Sequence, residues 1–121
     1  MSPVPAGLLL LLVKHFIGDF VMQTPRHVEG KRRYGAPAGV EHAAIHSALT
    51  VPCLLAVGVA VVPALLAATA ELAVHYHLDW GKERIVRSRG LTPAEHGYWI
   101  LLGGDQLAHQ LTYLGIVWAL L

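Results

Sequence analysis

The sequence predicts an all-α protein, a transmembrane four-helix bundle with up-down-up-down topology and a polar His/Asp layer in its cytoplasmic half. Three observations lead to this fold class. Of the 121 residues, 55% are hydrophobic and only 14% are charged, whereas soluble domains carry about a quarter charged residues. Four apolar stretches each approach the roughly 20 residues that cross a bilayer. Within these stretches, His and Asp recur at the spacing of one helical turn.

The first predicted span covers about residues 5–23. It ends before Pro25, because the residue that precedes a proline is pushed out of helical geometry. No basic segment precedes its apolar run, which leads directly into His15, Gly18 and Asp19. We therefore expect a retained helix and not a cleaved signal peptide. A loop rich in Gly, Arg and Lys follows.

The second and third predicted spans cover about residues 40–62 and 64–80. Pro52 lies inside the second span and is expected to kink it. Pro63 marks the connection, which is short and uncharged, so the two helices should form a tight antiparallel hairpin. The third helix is expected to continue beyond the bilayer as a basic segment that Gly90 ends.

The fourth predicted span covers about residues 94–120. Thr92, Pro93 and Glu95 match a capping box, in which Thr is the N-cap and Glu is the third helical residue. No tandem repeat or low-complexity segment interrupts the chain. We therefore expect a single transmembrane domain over residues 1–121.

Basic residues lie on only one side of the predicted membrane. They fall in the loops after spans one and three: Arg26, Lys31, Arg32, Arg33, Lys82, Arg84, Arg87 and Arg89. The positive-inside rule places both loops in the cytoplasm and both termini outside. A net charge of +1 gives no indication of the basic face that binds nucleic acid. The expected partner of the apolar helices is the lipid bilayer.

Ionisable side chains inside membrane spans are costly, and they are functional candidates for that reason. Several lie four residues apart and so share a helix face: His15 and Asp19, His42 and His46, Glu71 and His75, His75 and Asp79, Asp105 and His109. In an antiparallel bundle these pairs converge on one layer. Gly18, Gly103 and Gly104 are expected to let neighbouring backbones approach closely.

Four other residues receive plainer predictions. His27 and His96 lie in or beside loops and are expected to be solvated. His77 is expected on another face of its helix. Lys14 would be costly facing lipid, so we expect it to meet a carboxylate or a partner chain.

Imidazole and carboxylate together suit a divalent transition metal, Zn first, with Fe, Mn or Ni as alternatives. Helix bundles build two-metal carboxylate sites from facing helices, and the chain carries more candidate ligands than one tetrahedral ion needs. We therefore expect one or two ions. The competing interpretations are a metal-free proton or ion relay and interhelical hydrogen bonding.

Four segments, HFIGDFVMQT, HSAL, HYHLDWGK and GGDQLAHQ, resemble the small bacterial membrane proteins catalogued as domain of unknown function 3307. A looser similarity links that family to membrane-bound proteins labelled metal-dependent hydrolases. By position, the resemblance implies these metal ligands: His15, Asp19, His46, His75, Asp79, Asp105 and His109. It also implies Gln23 and Gln106 as polar support and a location in the bacterial inner membrane. Whether His42 or His77 is a further ligand stays open.

We therefore expect an integral membrane, metal-dependent hydrolase. A bound ion would lower the pKa of a water molecule, and Asp19 or Asp105 would act as general base. Lys82 and Arg84 suit phosphate binding, so the expected substrate is an anionic amphiphile, a lipid or prenyl phosphate. The alternative interpretation is that the basic residues after the third span only determine the membrane topology. The alternatives are a metal-ion or proton transporter or channel, and a metal-stabilised subunit of a homo-oligomer or larger membrane complex.

Overall fold

The computed structural model describes all 121 residues and is entirely helical, which confirms the predicted all-α class. The helices are α1 (Pro3–Phe16), α2 (Pro25–Gly30), α3 (Pro37–Ala56), α4 (Val61–Ser88) and α5 (His96–Leu120), with a π-helical turn over Ile17–Val21. α1 and α4 each pack against both α3 and α5, so the four long helices form a ring. The short helix α2 was not predicted; it lies in the loop after α1 and packs on α3.

The turn between α3 and α4 lies earlier than predicted. We expected Pro63 to mark it, but α3 ends at Ala56 and α4 begins at Val61. Gly58 follows the end of α3 at φ +91°, a left-handed conformation that glycine adopts without a steric penalty. The N–H groups of Gly58 and Val59 donate to carbonyls in the last turn of α3, as in a Schellman motif. Pro63 lies instead in the first turn of α4, where its missing N–H costs no hydrogen bond.

α5 begins at His96, two residues later than predicted. The carboxylate of Glu95 accepts hydrogen bonds from the backbone N–H and the hydroxyl of Thr92. These bonds, the backbone one first, hold the pKa of Glu95 below its usual range. The two capping-box residues therefore bond to each other, but they close a turn ahead of the helix instead of forming its first turn.

The interior of the molecule is mostly polar and its surface is rich in apolar side chains. Of 27 buried residues, 14 are polar or charged and only 9 are hydrophobic. Water-soluble proteins show the opposite distribution. Two helical stretches, Pro3–Val21 and Val61–Ser88, are long and apolar enough to cross a membrane. α3 and α5 do not meet that criterion, and both carry polar residues that face the interior.

A small hydrophobic core fills the space between the four long helices at the end nearest the α3–α4 turn. Its buried members are Leu11, Leu54, Val59, Ala64, Tyr113 and Val117. The buried polar residues lie toward the other end, where α2 packs on α3. The fold therefore separates an apolar half from a polar half, and the candidate site lies in the polar half.

Candidate metal centre

The polar half is built around five buried imidazoles that come from all four long helices. α1 contributes His15, α3 contributes His42 and His46, α4 contributes His75 and α5 contributes His109. We call these five residues the histidine cluster. Ring centroids lie 4.0 Å apart for His46 and His75, and 4.2 Å apart for His75 and His109. The predicted convergence of the His and Asp pairs is therefore present in the structure.

Asp19, His42, His46 and His75 form a first group of possible ligands, whose donor atoms all lie within 4.8 Å of one another. The Nε2 atoms of His42 and His46 lie 3.1 and 3.0 Å from Oδ1 of Asp19. His42, whose role the sequence left open, belongs to this group, whereas His77 is exposed and lies outside it. Three imidazoles and one carboxylate match the donor types and the number of ligands in a tetrahedral zinc site.

Asp19 reaches this group from the π-helical turn that follows α1. Single π-helical turns inside α-helices are frequent at functional sites. A Cβ on Gly18 would collide with the ring of His46, so only glycine lets this turn approach α3 so closely. The prediction that Gly103 and Gly104 serve close backbone packing is wrong, because a Cβ on either would meet nothing within 4 Å.

His75, Asp79 and His109 form a second group, again with donor atoms within 4.8 Å of one another. Nδ1 of His109 lies 2.7 Å from the backbone carbonyl of Asp105. A carbonyl only accepts, so Nδ1 carries the proton and Nε2 of the neutral ring carries the lone pair. That Nε2 has no hydrogen-bond partner, and it lies 3.5 Å from Oδ1 of Asp79.

Two acceptors that face each other in a buried site are unfavourable unless a cation or a proton lies between them. Both nitrogens of His75 also lack a hydrogen-bond partner. The second group therefore fits a metal ion. The bond from His109 Nδ1 to the Asp105 carbonyl is the orienting interaction that metal-binding imidazoles usually make.

His15, a predicted ligand, lies outside both groups. Its Nε2 donates to Oε1 of Gln106 at 2.9 Å, and its Nδ1 accepts from the hydroxyl of Tyr113 at 2.8 Å. The amide of Gln106 then donates to Oδ2 of Asp19 at 3.0 Å. A continuous chain of hydrogen bonds thus joins Tyr113 to Asp19 and gives His15 a supporting position. Gln23 bonds only to the backbone carbonyl of Asp19.

Asp105, another predicted ligand, also lies outside both groups. Its Oδ1 has no hydrogen-bond partner and lies 3.6 Å from Nδ1 of His109. Asp105 and Lys82 line a groove of about 450 Å³ between α4 and α5, which we call the α4–α5 groove. Its apolar lining includes Leu78, Ile85, Ile100, Leu101 and Ala108. The groove therefore has on its wall a carboxylate that lies next to an imidazole of the second group.

The predicted phosphate-binding pair, Lys82 and Arg84, make contacts with different parts of the molecule. Nζ of Lys82 lies 3.1 Å from Oε1 of Glu83, and Lys82 also lines the α4–α5 groove. The guanidinium of Arg84 lies over the ring of Trp80, 5.4 Å from its centroid, in a cation–π contact. Of the two, only Lys82 is at the groove.

Three further residues around the site are buried: His27, Lys31 and Lys14. His27, expected to be solvated, is buried because its ring caps α2; that prediction was wrong. Lys31 places Nζ 3.1 Å from Oδ2 of Asp79, a contact between distant parts of the chain that no local pattern signals. Lys14 forms an ion pair with Glu71, which confirms that it meets a carboxylate.

The family model described as "Protein of unknown function (DUF3307)" matches residues 8–121. The match covers nearly the whole chain, so the protein belongs to this family, as the resemblance predicted. No curated protein and no solved structure matches the chain. The similarity to membrane-bound metal-dependent hydrolases stays a prediction.

Proposed function

We propose that this family member is an integral membrane protein with a divalent metal centre, and that the centre serves a hydrolytic reaction. The observation that carries the proposal is the second group: His109 Nε2, both nitrogens of His75 and Oδ1 of Asp79 are buried without hydrogen-bond partners, while the other oxygen of Asp79 lies against Lys31. Buried polar atoms without partners are rare in proteins and call for an explanation. A bound transition metal ion, Zn first, would supply one for His109 Nε2, for Oδ1 of Asp79 and for one of the two nitrogens of His75.

The membrane location is supported by the distribution of side chains. Large apolar residues such as Leu66, Ile100, Leu111 and Trp118 are exposed on the helices, while the predicted His and Asp ligands are buried in the interior. In water, such a surface would be a strong aggregation hazard, whereas in hydrocarbon it is the favourable arrangement. We propose a multi-pass inner-membrane protein with four spans and both termini outside.

Cysteine labelling in intact cells tests this topology. In a Cys53→Ala background, Arg33→Cys should be protected from a membrane-impermeant maleimide until the cells are permeabilised, because basic loops stay inside. Ala60→Cys, in the exposed turn between α3 and α4, should be labelled without permeabilisation. The reverse pattern would show that the proposed orientation is wrong.

The second group suits catalysis better than a purely structural role. Three protein ligands leave a coordination position open, whereas structural zinc sites use four. A metal ion bound there supplies a water molecule of lowered pKa. Of the two predicted bases, Asp19 is already held by His42, His46 and Gln106. Asp105 has a free Oδ1 and borders the groove, so we propose that this atom accepts the proton.

The proposed substrate, an anionic amphiphile, is supported by the shape and lining of the α4–α5 groove. Its apolar walls suit one hydrocarbon chain, and Leu78, Ile85 and Ile100 would contact it. Lys82 lines the same groove as Asp105 and offers it a cation. A phosphate group bound by Lys82 would accept a charge-assisted hydrogen bond, in a groove that also contains Asp105, the neighbour of His109.

Asp105→Asn tests the proposed role of this carboxylate in the purified, zinc-loaded protein. The variant keeps the size of the side chain, the fold and the metal, but it removes the proton acceptor. Turnover should fall by about 10²- to 10⁴-fold, the usual contribution of general base catalysis. The measurement is product release from a panel of phosphomonoester and acyl-ester amphiphiles in proteoliposomes, with metal content determined in parallel.

Glu95→Gln is the matched control, because Glu95 is an exposed carboxylate outside the site. Its turnover should equal that of the wild type. Full turnover in Asp105→Asn would exclude Asp105 as the base. Metal binding without turnover on any substrate would favour the alternative of a metal-stabilised partner subunit. The transporter alternative is less well supported, since buried apolar residues fill the half of the ring beyond the cluster.

A further inference from the structure

Lys31 is a buried cation beside the proposed metal centre. Its side chain is only 5% exposed, and Nζ lies 3.1 Å from Oδ2 of Asp79. It comes from the end of α2, which packs tightly on α3: a Cβ on Gly30 would lie 2.5 Å from the backbone nitrogen of Gly39. The backbone N–H of Lys31 also donates to the carbonyl of His27 at 3.1 Å. The fold therefore holds this ammonium group in place.

Two of the buried carboxylates in the polar half have no lysine or arginine partner. Five carboxylates are buried: Asp19, Glu71, Asp79, Glu83 and Asp105. Three of them have cationic partners: Glu71 pairs with Lys14, Asp79 with Lys31, and Glu83 with Lys82. Glu83 also lies 3.6 Å from Arg32, whose charge is offset by the exposed Glu29. The other two, Asp19 and Asp105, have only imidazoles as ionic neighbours. With neutral imidazoles, two negative charges remain.

Two negative charges match one divalent ion and not two. A second ion would leave an excess of positive charge in a site of low dielectric, where uncompensated charge is costly. A second ion, in the first group, would also lie near Oδ2 of Asp79, which is 3.5 Å from His42 Nε2 and is already paired with Lys31. It would compete with the first ion for His75, which belongs to both groups. Both effects act against filling both groups at once.

We propose that Lys31 is a tethered cation that takes the place of a second metal ion at Asp79 and limits the centre to one divalent ion per chain. This inference rests on the proposed metal centre, and it assigns that centre its stoichiometry. In this arrangement Lys31 neutralises one oxygen of Asp79, Oδ2, and leaves Oδ1 facing His109. Lys31 is thus a positioning residue for the carboxylate.

Zinc stoichiometry in the purified full-length protein tests the proposal, by elemental analysis and by calorimetric titration with zinc alone. The wild type should bind one ion per chain. Lys31→Glu replaces the cation with a carboxylate and so leaves four negative charges unpaired; it should bind two ions. Lys31→Arg keeps the charge and should bind one. Arg33→Glu makes the same charge change at an exposed position of the same loop and should also bind one.

Two ions per wild-type chain would overturn the proposal while leaving the metal centre intact. A Lys31→Glu protein that folds, as judged by its circular dichroism, and still binds a single ion would overturn the role of Lys31. No zinc in the wild type, and none taken up in the titration, would instead contradict the proposed function. The wild-type stoichiometry decides the first point even if the glutamate variant does not fold.

Discussion

Replacing His109 by Ala is expected to abolish stable zinc binding in the purified protein. His109 Nε2 is the atom of the second group whose lone pair is assigned by geometry, because Nδ1 donates to the Asp105 carbonyl. Loss of an orienting partner alone typically weakens metal affinity by about 10- to 100-fold. Loss of the ligand should exceed that range, so zinc content after desalting should fall from one ion per chain to near zero.

Thermal unfolding should change together with the metal content. Removing the ion leaves the carboxylate of Asp79 facing only Lys31 and neutral imidazoles, and metal binding free energy contributes to folding in such sites. Chelator treatment of the wild type should therefore lower its unfolding temperature, and it should have much less effect on His109→Ala.

His96→Ala is the matched control, since His96 is a histidine of the same helix that is exposed at its first residue. It should keep wild-type zinc content and stability. Wild-type zinc affinity in His109→Ala would remove the second group as the binding site. The first group, Asp19 with His42, His46 and His75, would then be the remaining candidate.

Replacing Glu71 by Ala is expected to destabilise the protein by about 3–5 kcal/mol, the usual cost of removing one partner from a buried ion pair. Lys14 and Glu71 are 4% and 1% exposed. Thr50 donates a further hydrogen bond to Glu71, and Lys14 also bonds to the carbonyl of His46 at 3.1 Å. Without Glu71, the ammonium of Lys14 is left buried without a counter-charge.

The double variant Lys14→Met/Glu71→Leu separates the cost of an unpaired charge from the value of the pair. Replacing both partners of a buried ion pair by apolar groups is often close to neutral, so most of the lost stability should return. Unfolding in detergent by heat or denaturant measures both variants.

Glu29→Ala is the surface control for this experiment. Glu29 pairs with Arg32 at 2.9 Å, and both side chains are exposed. Such pairs contribute about 0–1 kcal/mol. If Glu71→Ala cost no more than this control, Lys14 and Glu71 would have to be solvated, and the buried pair would not exist in the protein as described.

Much of the architecture follows from local rules that act along one helix. Proline positions, apolar runs and glycines predicted the long helices, because helix formation and termination depend on near neighbours in sequence. The i, i+4 spacing predicted that His and Asp pairs would share helix faces and converge, since the helical repeat determines direction. The cost of a bare lysine in an apolar span predicted that Lys14 meets a carboxylate, and Glu71 is that carboxylate.

The helix ends were less predictable, because proline and glycine compete to set them. Pro63 is equally compatible with a turn between two helices and with the first turn of the second helix. Gly58, with its left-handed backbone, determines where α3 ends. Thr92 and Glu95 bond to each other in a turn that precedes the helix. The same two residue types at the same spacing can also form the first turn of a helix, so the sequence does not distinguish the two cases.

The chemistry of the site depended on contacts between helices. Periodicity tells which face His15 lies on, but only packing shows that Gln106 and Tyr113 occupy both of its nitrogens. The same holds for His42, which proves to belong to the first group. The sequence alone determined a helical chain with its imidazoles and carboxylates gathered in one layer. Only the tertiary structure decided which nitrogen and oxygen atoms have no hydrogen-bond partner, and that Lys31 lies against Asp79. The physical reason is that hydrogen bonds and ion pairs depend on which side chains face each other across helices.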